Sequence, residues 1–217
     1  NLDILDGKFK KGETLLKEVA RRAKNKGSFR LQCTAYSLIF DVHMAKKKYK
    51  DAEKILNHIF ELEADNFLLD NVQVNLNMKF LLFVKQDKFT EAESVYSEAI
   101  NLLEDSEYNW NDIPAELDLG RMRYLLAIAK EEYAKAESLI LKNQDLRCEY
   151  TSLYSFFETE ALSRVYFYQS HSDKALETIS LGIEHCRNVK NRIGELECLE
   201  TLLEFQDQLG IDNLATL

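Results

Sequence analysis

The stretch Tyr49-Lys50-Asp51-Ala52 decides the fold, because it recurs. The same pattern, an aromatic, two further residues and a small residue, stands at Phe9-Lys10-Lys11-Gly12, Phe89-Thr90-Glu91-Ala92 and Tyr133-Ala134-Lys135-Ala136. A fifth copy, Ser172-Asp173-Lys174-Ala175, has lost the aromatic. The small residues are spaced by 40, 40, 44 and 39 residues. A period of that size marks an array of supersecondary units rather than one folded globule.

Working outward from each motif, an amphipathic helix follows the small residue. Ala52, Leu56, Ile59 and Phe60 recur at intervals of three and four, as do Ala92, Val95, Tyr96 and Ala99, and Ala175, Leu176, Ile179 and Ile183. Thr90 and Glu93 have the spacing of a capping box, which predicts a helix start at the motif itself. A longer helix precedes each motif, over residues 28–45, 69–85, 112–129, 149–169 and 190–209. Asp112 is the expected cap of the third, and the only proline, Pro114, falls in its first turn, where a missing N–H costs little. Linkers of three or four residues make successive helices antiparallel neighbours.

Composition agrees. Gly and Pro together number 8 of 217 residues, where an average chain carries about 12%. A sheet protein has nothing here to build its turns from. The fold class expected is all-α: a right-handed superhelical solenoid of helix hairpins, whose small residue lets the two helix axes of a hairpin approach. One repeat domain spans 1–217, with units near 1–27, 28–67, 68–111, 112–148, 149–189 and 190–217, the first and last incomplete. A start at Asn1 rather than Met suggests a piece of a longer chain.

On these residues the sequence resembles the tetratricopeptide repeat family, whose second helix opens with an aromatic, two residues and an alanine. The family's Leu-Gly pair in the first helix is replaced by Ile39-Phe40, Lys79-Phe80, Arg123-Tyr124 and Leu162-Ser163. The family's usual period is about 34 residues, so this chain is similar to the long-period variants found in bacterial peptide-sensing and maltose-type transcriptional regulators. That resemblance implies a protein- or peptide-binding domain, most directly the sensing domain of a regulator, with a general scaffold subunit as the alternative. It also implies a concave binding wall on the first helices: Asn77 and Leu81, Arg121 and Leu125, then Phe157, Glu160, Arg164 and Phe167 with the adjacent Tyr168. Leu125, Phe157 and Phe167 equally suit packing between repeats. The family's carboxylate clamp is not reproduced, since Ser37 and Asp41, or Asn77 and Leu81, stand where it needs Lys and Asn.

No catalytic constellation stands out. Four histidines, at 43, 58, 171 and 185, have no ligand-like spacing, and no Gly-rich phosphate loop or nucleophile elbow is present. The expectation is a non-enzyme without metal or cofactor. Formal charge is −9, yet residues 1–54 carry 14 Lys and Arg against 7 Asp and Glu. A nucleic-acid module led by that basic end is the third alternative, opposed by the acidic remainder. The expected partner is a protein or peptide with an acidic group or carboxylate, because Arg121 and Arg164 face an otherwise apolar wall. Self-association through the terminal repeats is a further expectation. Cysteines at 33, 148, 186 and 198 without short spacing, and no apolar run or leader pattern, place the chain in the cytoplasm, away from membranes, with four unpaired thiols.

Overall fold

The computed structural model describes residues 9–66, 72–104, 113–151 and 156–211. Among them every regular element is a helix. In order these are α1 (Phe9–Asn25), α2 (Phe29–Ala45), α3 (Tyr49–Asn66), α4 (Val72–Val84) and α5 (Phe89–Glu104), then α6 (Ile113–Ala129), α7 (Tyr133–Thr151), α8 (Phe156–Tyr168), α9 (Ser172–Asn188) and α10 (Arg192–Gln208). The chain divides into two compact units, residues 1–110 with α1–α5 and residues 111–217 with α6–α10. In each unit consecutive helices pack as antiparallel hairpins, matching a right-handed helical-repeat solenoid.

The turns show why so little glycine suffices. Six interhelical turns share one conformation, with a single residue at positive φ, Gly27, Lys47, Asp87, Glu131, Ser170 and Lys190, and Gly210 closes α10 in the same way. The next N–H reaches back five residues to a carbonyl, as in Lys48 to His43 (2.9 Å), Glu132 to Ala127 (2.9 Å) and His171 to Tyr166 (2.8 Å). This is the Schellman closure of a helix C-terminus. The donor's own carbonyl then accepts the first bond of the following helix, as in Ala52 N to Lys48 O at 3.0 Å. One residue thus ends one helix and starts the next. It also displaces the expected capping box: α5 begins at Phe89, so Thr90 already lies inside the helix.

The small residue sits where a second helix crosses its first. Ala52, Ala92, Ala136 and Ala175 are all fully buried. Twelve residues earlier, on the first helix, stand Phe40, Phe80, Tyr124 and Ser163, also buried. The glycine of the tetratricopeptide pattern is therefore replaced, in three hairpins, by an aromatic packed at the crossing. One helix boundary differs from expectation. Residues 149–151 continue α7 rather than opening the next helix, because nothing between Ala136 and Thr151 breaks the helical pattern. Asp112 lies outside the described residues.

The core of unit 1 gathers Cys33, Phe40, Ala52, Leu56, Ile59, Met78 and Leu82. That of unit 2 runs from Tyr124 and Ala127 through Ile140, Val165 and Ile179 to Cys198 and Phe205. A register contact recurs where a second helix meets the next first helix. Glu63 pairs with Asn75. Arg147 pairs with Glu158, and the Cys186 and Cys198 thiols are hydrogen-bonded. These pairs stand 12, 11 and 12 residues apart, so one geometric slot takes a polar, an ionic and a thiol pair in turn.

Candidate binding surface

In unit 2 the first helices α6, α8 and α10 adjoin one another, α8 packing on both of the others. They form a wall that carries most of the expected binding residues. Arg121 on α6 lays its guanidinium 3.7 Å over the ring of Phe157 on α8. Phe157 in turn meets Phe156, with ring centroids 3.9 Å apart. A cation over an aromatic face is attracted by the ring quadrupole, by about 0.5–1 kcal/mol at an exposed site and more when desolvated. The stack therefore holds a flat guanidinium in place.

Two turns along α8, Arg164 is enclosed by acids. It pairs with Glu160 on its own helix, donates from Nη1 to Glu204 Oε2 on α10 at 2.9 Å, and from Nη2 to Thr201 Oγ1 at 2.9 Å. Thr201 passes a bond on to Glu160 Oε1 at 3.0 Å. Burial opposes the guanidinium charge, but Glu160 and Glu204 outweigh it and raise the Arg164 pKa. Here the sequence expectation is corrected: Arg164 does not face an apolar surface without a compensating charge, because α10 supplies one. Thr201 went unnoticed in the sequence, and its spacing of 37 from Arg164 gave no local sign of the pairing.

Phe167 stacks on Phe205 of α10 with centroids 4.2 Å apart and planes 3° from parallel. Both Phe167 and Leu125 pack against the core of unit 2. Tyr168 is exposed and stacks on Tyr133, centroids 5.3 Å apart. Asn77 and Leu81 belong to α4 in unit 1, where both are half-buried.

Behind the wall lies a buried polar cluster. Glu158 on α8, fully buried, accepts from Asn143 Nδ2 at 2.9 Å and from Arg147 Nη2 at 3.1 Å. Asn143 also donates to the Leu117 carbonyl of α6 at 3.3 Å. Gly120 makes room for it: a Cβ there would lie 2.1 Å from Asn143 Oδ1. Asp118 stands nearby on α6. Burial pushes its carboxyl up to about 6, against the opposing pull of Arg121 and Arg147.

His43 is buried, and Glu13 of α1 lies 3.8 Å from its Nε2. His58 meets the edge of Tyr36, centroids 4.8 Å apart. Among the described residues no group of three or more His, Cys, Asp or Glu is placed to hold a metal ion, and no helix is long and apolar enough to cross a membrane. No family model matches the chain, and no curated protein matches it. The stacked helix hairpins are consistent with a tetratricopeptide-like repeat fold in general, and with a protein-interaction scaffold in general.

Proposed function

We propose that the α6–α8–α10 wall binds a peptide or protein segment, and that this domain is the sensing or interaction domain of a bacterial transcriptional regulator. The observation that carries the binding reading is the Arg121–Phe157 stack, a preoriented guanidinium on a wall of first helices. Its N–H edge suits a carboxylate, which makes Arg121 the carboxylate-seeking cation of the pair first considered. The Glu160–Arg164–Glu204 network next to it fixes the spacing between α8 and α10 and presents acid to a basic residue of the same ligand. The role is binding rather than catalysis, in the cytoplasm, and neither cofactor nor metal enters it. Nucleic acid is not the partner proposed, since Arg21 and Arg22 of the basic end share Glu18.

Fluorescence anisotropy with a library of short labelled peptides tests the reading. Binders are expected to include peptides with a free or side-chain carboxylate, and to lose at least about tenfold in affinity with Arg121→Ala or Phe157→Ala, the loss of a charge-assisted contact. Binders unaffected by both changes would place recognition elsewhere. The regulator reading is tested separately, by whether the parent gene also encodes a helix-turn-helix segment.

A further inference from the structure

The two arginines of the wall are compensated differently. Arg164 is ion-paired to Glu160 and Glu204. Arg121 lies over the ring of Phe157, 3.7 Å from its centroid. Three residues before Arg121 on α6 stands Asp118, a spacing that puts both on one helix face. The charged groups acting on Asp118 come from three helices: Arg121 on α6, Arg147 on α7 and Glu158 on α8. Arg147 and Glu158 are bonded to each other at 3.1 Å, with the carboxylate wholly buried. Arg147 thus already serves Glu158, and Arg121 is the cation that both Asp118 and an anion arriving on the wall would draw on.

We propose that Asp118 is a proton-controlled competitor for Arg121: ionised, it engages the guanidinium charge and weakens the wall's grip on a ligand carboxylate, and protonated, it releases that charge to the ligand. The proposal rests on the wall being a carboxylate site and adds that the site strengthens in acid. Asp118 is half-buried, so solvent screens its action on Arg121 less than it would at an open surface. A ligand carboxylate on Arg121 sets a second negative charge near Asp118, and like charges sharing one cation favour protonation of one of them. Ligand binding and proton uptake at Asp118 are therefore linked, and affinity rises as pH falls through its titration.

The protein places that titration in a useful window. Burial pushes the Asp118 carboxyl up to about 6, with Arg121 and Arg147 pulling the other way. Above pH 7 the competitor is charged and the site is weak. Near pH 5.5 it is mostly neutral, while a ligand carboxylate, titrating near 4, is still ionised.

The test is the affinity of a rhodamine-labelled peptide whose only carboxylate is its C-terminus, taken from the anisotropy binders, with its amidated twin as control. Wild type is expected to bind the acid peptide about three- to tenfold more tightly at pH 5.5 than at pH 7.5, tenfold being the effect of a one-unit displacement of the titration. Asp118→Asn, nearly isosteric and always neutral, should bind at pH 7.5 as wild type does at pH 5.5 and lose the pH dependence. The amidated twin should lose both affinity and pH dependence. The four histidines and the other acids remain in the variant, so a pH dependence that survives Asp118→Asn belongs to them and overturns the proposal. Binding that needs Arg121 yet is flat in pH also overturns it, and leaves the wall as the binding surface. Failure of every carboxylate peptide to bind at either pH removes the reading of the wall and this proposal with it. Circular dichroism checks the fold of the variant. If it does not fold, calorimetry of wild type at pH 6 in two buffers of different ionisation enthalpy decides: fractional proton uptake on binding is expected, and none overturns the proposal.

Discussion

Arg147 on α7 and Glu158 on α8 form an ion pair, 3.1 Å from Nη2 to Oε1, in which the carboxylate is wholly buried. Asn143 adds a second bond to the same oxygen. The pair ties the second helix of one hairpin to the first helix of the next, directly behind the Arg121–Phe157 stack. Removing one partner of such a pair strands the other charge, which is why breaking it costs more than the pair contributes.

Glu158→Ala should therefore destabilise unit 2 by about 2–4 kcal/mol, somewhat below the full range for buried pairs because Arg147 retains some solvent contact. Glu158→Gln keeps an acceptor for Asn143 and should cost less. Gly120→Ala should be comparably damaging, since its methyl would displace Asn143. Urea denaturation gives all three, and equal midpoints for Glu158→Ala and wild type would refute the role assigned to the pair.

Ala92 is the test of the crossing. It is fully buried between α4 and α5, and Ala92→Leu should cost about 1–3 kcal/mol by overpacking. Ala134 is exposed, two residues before the equivalent Ala136, and Ala134→Leu should stay within about 0.5 kcal/mol. Thermal melts of the two variants should separate clearly from each other.

That register was legible because a fixed backbone crossing demands a small residue each time, and Ala52, Ala92, Ala136 and Ala175 report it at a readable period. The turns were not legible in the same way. Lys47, Asp87, Glu131, Ser170 and Lys190 take positive φ without being glycine, held there by the Schellman bonds rather than by intrinsic preference. The members of the wall were legible only as first-helix positions, on which Arg121 meets Phe157 and Glu160 meets Arg164. The wall's electrostatics were not, because two partners of Arg164, Thr201 and Glu204, come from a helix about 40 residues away, and a list of first-helix positions does not say which side chains reach across. Phe167 and Leu125 illustrate the same limit for apolar groups: the stripe that faces a groove is also the stripe that packs on the neighbouring first helix.

The turns give a stabilising prediction. Glu131 is exposed at φ 60° between α6 and α7, a conformation in which an L side chain pays roughly 1–2 kcal/mol. Glycine avoids that cost while adding freedom to the unfolded chain. Glu131→Gly should gain about 0.5–1 kcal/mol, read as a higher urea midpoint with an unchanged slope. A lower midpoint would show that Glu131 contributes contacts outweighing its backbone strain.

Asp118 predicts a pH dependence. Its folded pKa, pushed up to about 6 chiefly by burial, exceeds the value of 3.8 for a free side chain. Between these values the folded state binds more protons than the unfolded one, so this group's contribution grows as pH falls from above 6 towards 4, and is absent above pH 7. Asp118→Asn removes the titration. The stability difference, wild type minus variant, should increase by about 1–3 kcal/mol from pH 7 to pH 4.5. Taking the difference cancels the opposite trend of Glu13, Glu18 and Glu195, whose pKa values are lowered by their basic partners. A flat difference would mean that Asp118 is solvated.

The cysteines should divide three to one in reactivity. Cys148 is exposed, whereas Cys33, Cys186 and Cys198 are buried. Burial pushes the Cys33 thiol up to about 11 and raises those of Cys186 and Cys198. The thiolate is the reacting species, so at pH 8 a buried thiol suffers twice, from access and from a smaller ionised fraction. A chromogenic disulfide reagent should consume one thiol rapidly in the native protein, and Cys148→Ser should abolish that phase. The other three should react only as fast as the helices open, and all four on denaturation without reductant. If only two thiols titrate after denaturation, Cys186 and Cys198, whose thiols already share a hydrogen bond, have joined as a disulfide, and the slot between α9 and α10 holds an oxidised pair rather than two packed thiols.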